Sequence, residues 1–158
     1  MTGPHTVSLR VTDGAGAVAV TSETITVAPR PRPPLQVLSP FPVVRIAGRA
    51  TRRGVNLRLV TAEAPAGSSV SLSCRGRGCP RKRETRIAPV RGGGGLRLVS
   101  FPHFARSLRA GIVLEIRVTK LGQVGKYTRF VIRRNRAPRR TDSCLMPGRS
   151  TPKPCPVS

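Results

Sequence analysis

Acidic, aromatic and histidine side chains are scarce in this sequence, and each shortage removes a class of function. The 158 residues hold no Trp, one Tyr and four Phe. Proteins that bind single strands without sequence preference stack bases on rings set among basic residues. Here the few rings fall mostly in phase with the core positions of strands. Acidic residues number only six. Asp13 and Asp142 are the sole aspartates, and His5 and His103 the sole histidines. No G-x-S-x-G turn and no pair of catalytic carboxylates occurs, so no catalytic residue and no enzyme activity are expected. Glu115, between Leu114 and Ile116, takes the outward phase of a strand and is expected to pair with an arginine across the sheet. No run approaches the ~18–20 apolar residues of a membrane helix, so no membrane span is expected. The opening MTGPHTVSLRVTDG lacks a basic, apolar and cleavable leader and reads as the interior of a domain.

Abundance lies in positive charge, glycine and proline. Lys and Arg number 29, giving a formal net charge of +23 and a pI near 12.0. A field of that size attracts polyanions through salt-dependent contacts. The basic residues are spread through strands and loops, and an arginine-rich surface of that kind also arises from composition alone. Their densest runs give the candidate polyanion-binding residues: Arg75, Arg77, Arg81, Lys82 and Arg83 in CRGRGCPRKR, and Arg133, Arg134 and Arg136 in RRNR.

Hydrophobic residues, 38% of the chain, fall into alternating runs that indicate strands. Residues 6–13 place Val7, Leu9 and Val11 on one face, and Gly14 to Gly16 turn the chain. Residues 17–27 return with Val18 and Val20 in one phase and Ile25 and Val27 in the other, which predicts a bulge near Ser22. Residues 29–42 read as a stiff Pro-rich spacer. From Val43 to Arg134, seven short strands at roughly 10-residue spacing predict an antiparallel sandwich. Val55, Leu57 and Leu59 are expected on one face, as are Val70, Leu72 and Cys74, and Ile112 to Val118 in alternation. Gly92–Gly95 are expected at a hairpin tip between two strands, and Gly122 and Gly125 at a turn. FPHFARSLRAG is expected to contain one helical turn burying Phe104 and Leu108. Residues 135–158 read as an aperiodic, Pro-rich tail.

The cysteines come as Cys74-x4-Cys79 and Cys144-x10-Cys155. Zinc knuckles use C-x2–4-C pairs, so the first doublet touches the edge of that range and the second falls outside it, with no histidine nearby. Four cysteines allow three pairings, and local pairing within each doublet is the simplest, so two local disulfides are expected, with no metal and no cofactor.

The stretch GPHTVSLRVTDGAGAVAVTSETITV resembles the end of a polycystic kidney disease (PKD) domain. Gly3, Val7, Leu9, Val11, Thr12 and Asp13 match that family's closing strands, with His5 standing where an aromatic is usual. The resemblance covers residues 1–28, a PKD-like C-terminal hairpin, and implies an extracellular or cell-surface setting within a longer chain. Residues 41–156 resemble a basic Ig-like module of secreted proteins from high-GC bacteria, carried by Ala64 to Pro80, Leu108 to Thr119 and Gly125 to Arg133. The expected fold class is therefore all-β: a hairpin, a linker (29–42), an Ig-like sandwich (43–134) and an irregular disulfide-bonded tail (135–158). The expected role is non-catalytic adhesion, with arginines contacting anionic polysaccharide or wall polymer and binding polyanions nonspecifically. An intracellular nucleic-acid-binding protein with a four-cysteine zinc site is the alternative.

Overall fold

A computed structural model describes residues 2–29, 34–91 and 94–156. Strands occupy 58% of the chain and helix 2%, so the fold is all-β. The chain divides into two compact units, Met1–Pro34 and Leu35–Ser158. The core of the expected Pro-rich spacer, residues 30–33, lies outside the described residues.

The first unit is a hairpin of β1 (Gly3–Thr12) and β2 (Val18–Val27). Asp13 makes its turn: the carboxylate accepts from the N–H groups of Ala15 and Ala17 at 2.9 and 2.8 Å. The register runs without interruption from Gly3–Val27 to Thr12–Val18, with Ser8 opposite Ser22. The bulge expected near Ser22 is therefore absent. The phase change in β2 has a simpler cause, because the strand supplies apolar side chains to both faces. Ile25 and Val27 join Val7, Leu9 and Val11 on one face, while Val18 and Val20 lie among Thr6, Ser8 and Thr24 on the other.

The second unit is an antiparallel sandwich. One sheet runs β12 (Arg139–Leu145), β11 (Gln123–Val131), β10 (Val113–Thr119), β6 (Ser69–Arg75) and β7 (Arg83–Ile87), and the short β3 (Gln36–Val37) pairs parallel to the start of β11. The facing sheet is β4 (Val43–Thr51), β5 (Gly54–Pro65) and β8 (Leu96–Ser100), with β9 (Ser107–Arg109) pairing beside the start of β5. Both sheets send alternate residues inward: Val44, Val55, Leu57, Val60 and Ala62 from one, Val70, Leu72, Leu114, Ile116, Val118 and Phe130 from the other. Cys74 takes its expected place in that row.

Four details differ from the period-2 reading. The ladder between β4 and β5 shifts register at Ala47/Gly48, so that Gly48 faces Leu57 and Ala47 faces Leu59. Arg58 is the extra residue, and the bulge turns Leu59 outward (43% exposed) while Val60 takes the inward place. A Cβ on Gly48 would lie 2.2 Å from the Asn56 carbonyl oxygen, so only glycine permits this approach. Gly125 lies inside β11 instead of in the turn, because a Cβ there would meet the Val118 carbonyl oxygen at 2.2 Å. β7 and β8 are not a hairpin: β7 pairs with β6 and β8 with β5, so the glycine segment crosses between sheets. Of that expected hairpin tip, Gly92 and Gly93 lie outside the described residues. Finally, the segment beyond 134 supplies β12 before it continues irregularly, and the linker supplies β3 and the buried Leu38.

The expected helical turn is a 3-10 turn over Pro102–Phe104 that buries Phe104, whereas Leu108 is buried from β9.

Candidate functional site

Antiparallel ladders fix which loops share an end of the sandwich. Thr51 pairs with Gly54, and Gly54 with Arg109. Val113 pairs with both Arg75 and Val131, and Val131 with Arg139. The β4–β5 turn, the loop after β6, the β9–β10 turn and the loop after β11 therefore meet at one end. Backbone hydrogen bonds tie them together: Ala110 N–H to Arg53 O at 2.8 Å, Asn135 N–H to Thr51 O at 2.9 Å, and Gly111 N–H to Ile132 O at 2.9 Å. Gly76 approaches so closely that a Cβ on it would lie 3.2 Å from the Ile112 Cα.

Residues 51–54, 75–83, 109–112 and 133–139 carry twelve Lys and Arg and no Asp or Glu. Among the described residues the opposite end, formed by 65–68, 88–91, 94–95, 120–122 and 146–152, carries only Arg91, Lys120 and Arg149. The sandwich is thus polarised, and its field is focused at one end. Both basic runs singled out from the sequence lie there. Arg139 extends the second run, and Arg52, Arg53 and Arg109 join from other loops, where sequence reasoning missed all three. Each is an ordinary turn residue in the sequence, and their juxtaposition needs the pairing of β5 with both β4 and β9.

Both disulfides form within their own doublets, Cys74–Cys79 and Cys144–Cys155, and no cysteine is free. Cys79 packs against the core and clamps the loop of Arg75 to Arg83 onto the sheet. Because the loop is short, the bond acts mainly by holding that geometry. The second bond fastens the tail to buried Cys144, beside which Lys153 forms a two-way backbone bridge at 2.8 and 2.9 Å. Disulfide bonding uses all four thiols, which speaks against a four-cysteine zinc site. Among the described residues no group of three or more His, Cys, Asp or Glu is gathered as metal ligands.

The sequence candidates divide by what their side chains do. Arg75 pairs with Glu115, which Arg117 also approaches at 3.6 Å. The expected arginine partner of Glu115 is thus found, on the diagonal instead of directly opposite. Glu115 is only 6% exposed. Tyr127 shares a hydrogen bond with it, and burial first, then that bond and the carboxylate's charge, hold the phenol above its ordinary pKa. Arg81 donates to His103 Nε2 at 3.1 Å, so the imidazole proton sits on Nδ1 and faces Glu84 at 3.1 Å. Burial pushes Glu84 upward, but hydrogen bonds from Arg86 and His103 outweigh it and leave the carboxyl below its ordinary value. Arg133 is held by the Ala137 carbonyl at 3.1 and 2.9 Å. Among the described residues, Arg77, Lys82, Arg83, Arg134 and Arg136 make no side-chain hydrogen bond or ion pair.

Two recesses among the described residues at this end are rich in arginine. One, of about 730 Å3, lies beside the first disulfide and includes Arg75, Lys82, Arg83 and Arg117 over the Glu115 carboxylate. The other, of about 440 Å3, is lined by Arg52, Arg53, Arg109, Ala110 and Arg134. No carboxylate lines the second recess, and its four guanidinium groups have no side-chain partner among the described residues.

Comparison with known proteins finds no matching family model, no similar curated protein and no similar solved structure.

Proposed function

We propose that the chain is a non-catalytic part of an extracellular or cell-surface protein whose sandwich binds anionic wall or matrix polymer through its arginine-rich end. In this reading residues 1–28 are the closing hairpin of a PKD-like domain and residues 43–134 an Ig-like adhesion module. The observation that carries it is the gathering of twelve cationic residues, with no acidic one, on four loops of a single end. Two disulfides support an oxidising compartment. Among the described residues no helix is long and apolar enough to cross a membrane.

Nucleic acid is the less favoured polyanion because no stacking platform stands at this end. Phe101, Phe104 and Phe130 are buried, as is Tyr127. Without such rings the attraction to nucleic acid is one of charge alone and falls steeply with salt.

A matched pair of variants of the full chain tests the proposal. One replaces Arg77, Arg83, Arg109 and Arg134 with Gln. The other removes the same charge elsewhere, at Arg58, Arg91, Arg149 and Lys153. Binding to poly(glycerol phosphate) at physiological salt should fall at least tenfold in the first and less than threefold in the second. Equal losses would show a diffuse field and would sink the proposal.

A further inference from the structure

We infer that the recess between Arg52, Arg53, Arg109 and Arg134 is a discrete site for phosphate bearing two or more negative charges in all, on one group or on two adjacent ones. This rests on the polymer-binding reading and narrows it to one pocket and one ligand chemistry.

Rigidity is the first support. Arg52 and Arg53 occupy the turn between paired Thr51 and Gly54, and Gly54 pairs in turn with Arg109. A Cβ on Gly54 would lie 2.1 Å from the Leu108 carbonyl oxygen, so the turn and β9 meet at backbone contact. Arg134 is placed by the adjoining Asn135 N–H, which donates to Thr51 O at 2.9 Å. All four side chains therefore spring from backbone that strand pairing or a direct hydrogen bond has fixed.

The second support is the lining. Four arginines line the recess with no carboxylate among them, and gathering that much like charge costs Coulomb energy that an entering anion offsets. Guanidinium forks bind phosphate oxygens in pairs. A carboxylate has two oxygens and engages one or two forks; a phosphate or pyrophosphate has enough oxygens for all four. The lining offers no aromatic ring and no hydroxyl to recognise a sugar, since Ala110 is its only other residue. The pocket reads charge and tetrahedral oxygen geometry. A volume of about 440 Å3 falls in the usual range for small-ligand pockets.

That charge reaches the recess either on a free inorganic anion or on two successive phosphodiesters of a polymer, because a single phosphodiester carries only one negative charge. Calorimetric titration of the full, disulfide-intact chain with inorganic pyrophosphate at physiological salt tests the inference. One saturable site is expected, at least tenfold weaker in the Arg53→Gln/Arg109→Gln variant and unchanged in Arg58→Gln/Arg149→Gln. The Arg53→Lys/Arg109→Lys variant keeps the charge and should still bind several-fold more weakly, which separates fork geometry from charge and from misfolding. Poly(glycerol phosphate) displacing pyrophosphate would assign the site to polymer; failure to displace it would assign the site to free phosphate. Polygalacturonate should displace pyrophosphate poorly. Absence of saturable binding, equal loss in the two Gln variants, or equal displacement by polygalacturonate would each overturn the site. Polymer binding that persists without pyrophosphate binding would remove this pocket and leave the broader proposal standing.

Discussion

Gly54 holds the arginine-rich end together, and replacing it with alanine should be among the costliest single-methyl changes in the sandwich. Its φ is +154°, and the added Cβ would meet the Leu108 carbonyl oxygen at 2.1 Å, with the Ala110 nitrogen at 2.8 Å. Neither contact is with a flexible side chain, so relief requires β5 and β9 to part. The backbone strain costs about 1–2 kcal/mol. Losing one or two ladder hydrogen bonds between these strands adds about 1 kcal/mol each. Loosening buried Leu108 and Val55 brings the total to about 3–5 kcal/mol. Gly122→Ala is the control. Its φ is +71°, but nothing lies within 4 Å of the added Cβ, so only the conformational cost of about 1–2 kcal/mol applies. Urea denaturation of both variants with disulfides intact should place Gly54→Ala at least about 1 kcal/mol below Gly122→Ala. Equal destabilisation, within about 0.5 kcal/mol, would refute the close packing of the β4–β5 turn on β9.

Leu57→Ala should cost about 2–5 kcal/mol in the same assay, whereas Leu59→Ser should stay within about 0.5 kcal/mol, because the bulge at Arg58 points Leu59 to solvent. Asp142 gives a pH signature. Burial raises its pKa, but hydrogen bonds from Arg140 and Thr128 and the charge of Lys126 bring it down from 3.8 to about 2. A carboxyl with a depressed folded pKa stabilises above its unfolded value, and that gain is lost as pH falls through the folded one. Asp142→Asn should therefore cost about 1 kcal/mol near neutral pH, discounted for an exposed carboxylate, and the gap to the parent should close between pH 4 and 2. A gap that widens on acidification would contradict that sign. Glu115→Gln should lower stability by about 1–2 kcal/mol and raise affinity for polyanions at low salt, because it frees Arg75 and Arg117. Unchanged affinity would mean that those two arginines lie outside the binding surface.

Strand phase was legible wherever a ladder is regular. Val70, Leu72 and Cys74, and likewise Leu114, Ile116 and Val118, alternate as their burial does, because a strand that covers the core must repeat every second residue. The pattern failed where backbone geometry departs from that period. One inserted residue at Arg58 reversed the face of Leu59, and nothing in VNLRLV announces it. β12 escaped notice because Arg139 to Ser143 of this strand are polar and half-buried to exposed, so it carries little apolar alternation. A glycine run looks the same at a hairpin tip and at a crossing between sheets, and here it is the crossing. Spacing left three cysteine pairings open, and the structure has the simplest of them, a bond within each doublet. The arginine-rich end did not, because Arg52, Arg53, Arg109 and Arg134 meet only through the long-range pairing of β5 with β4 and β9 and the bond from Asn135 to Thr51. Its two densest runs were visible, but their common location was not.

The most direct test of anion binding at this end is a map of amide chemical-shift changes as labelled chain is titrated with poly(glycerol phosphate) at physiological salt. Shifts confined to residues 51–54, 75–83, 109–112 and 133–139 are the predicted result. Shifts spread evenly over the sandwich, centred on the opposite loops at 65–68, 120–122 and 146–152, or absent altogether would contradict it.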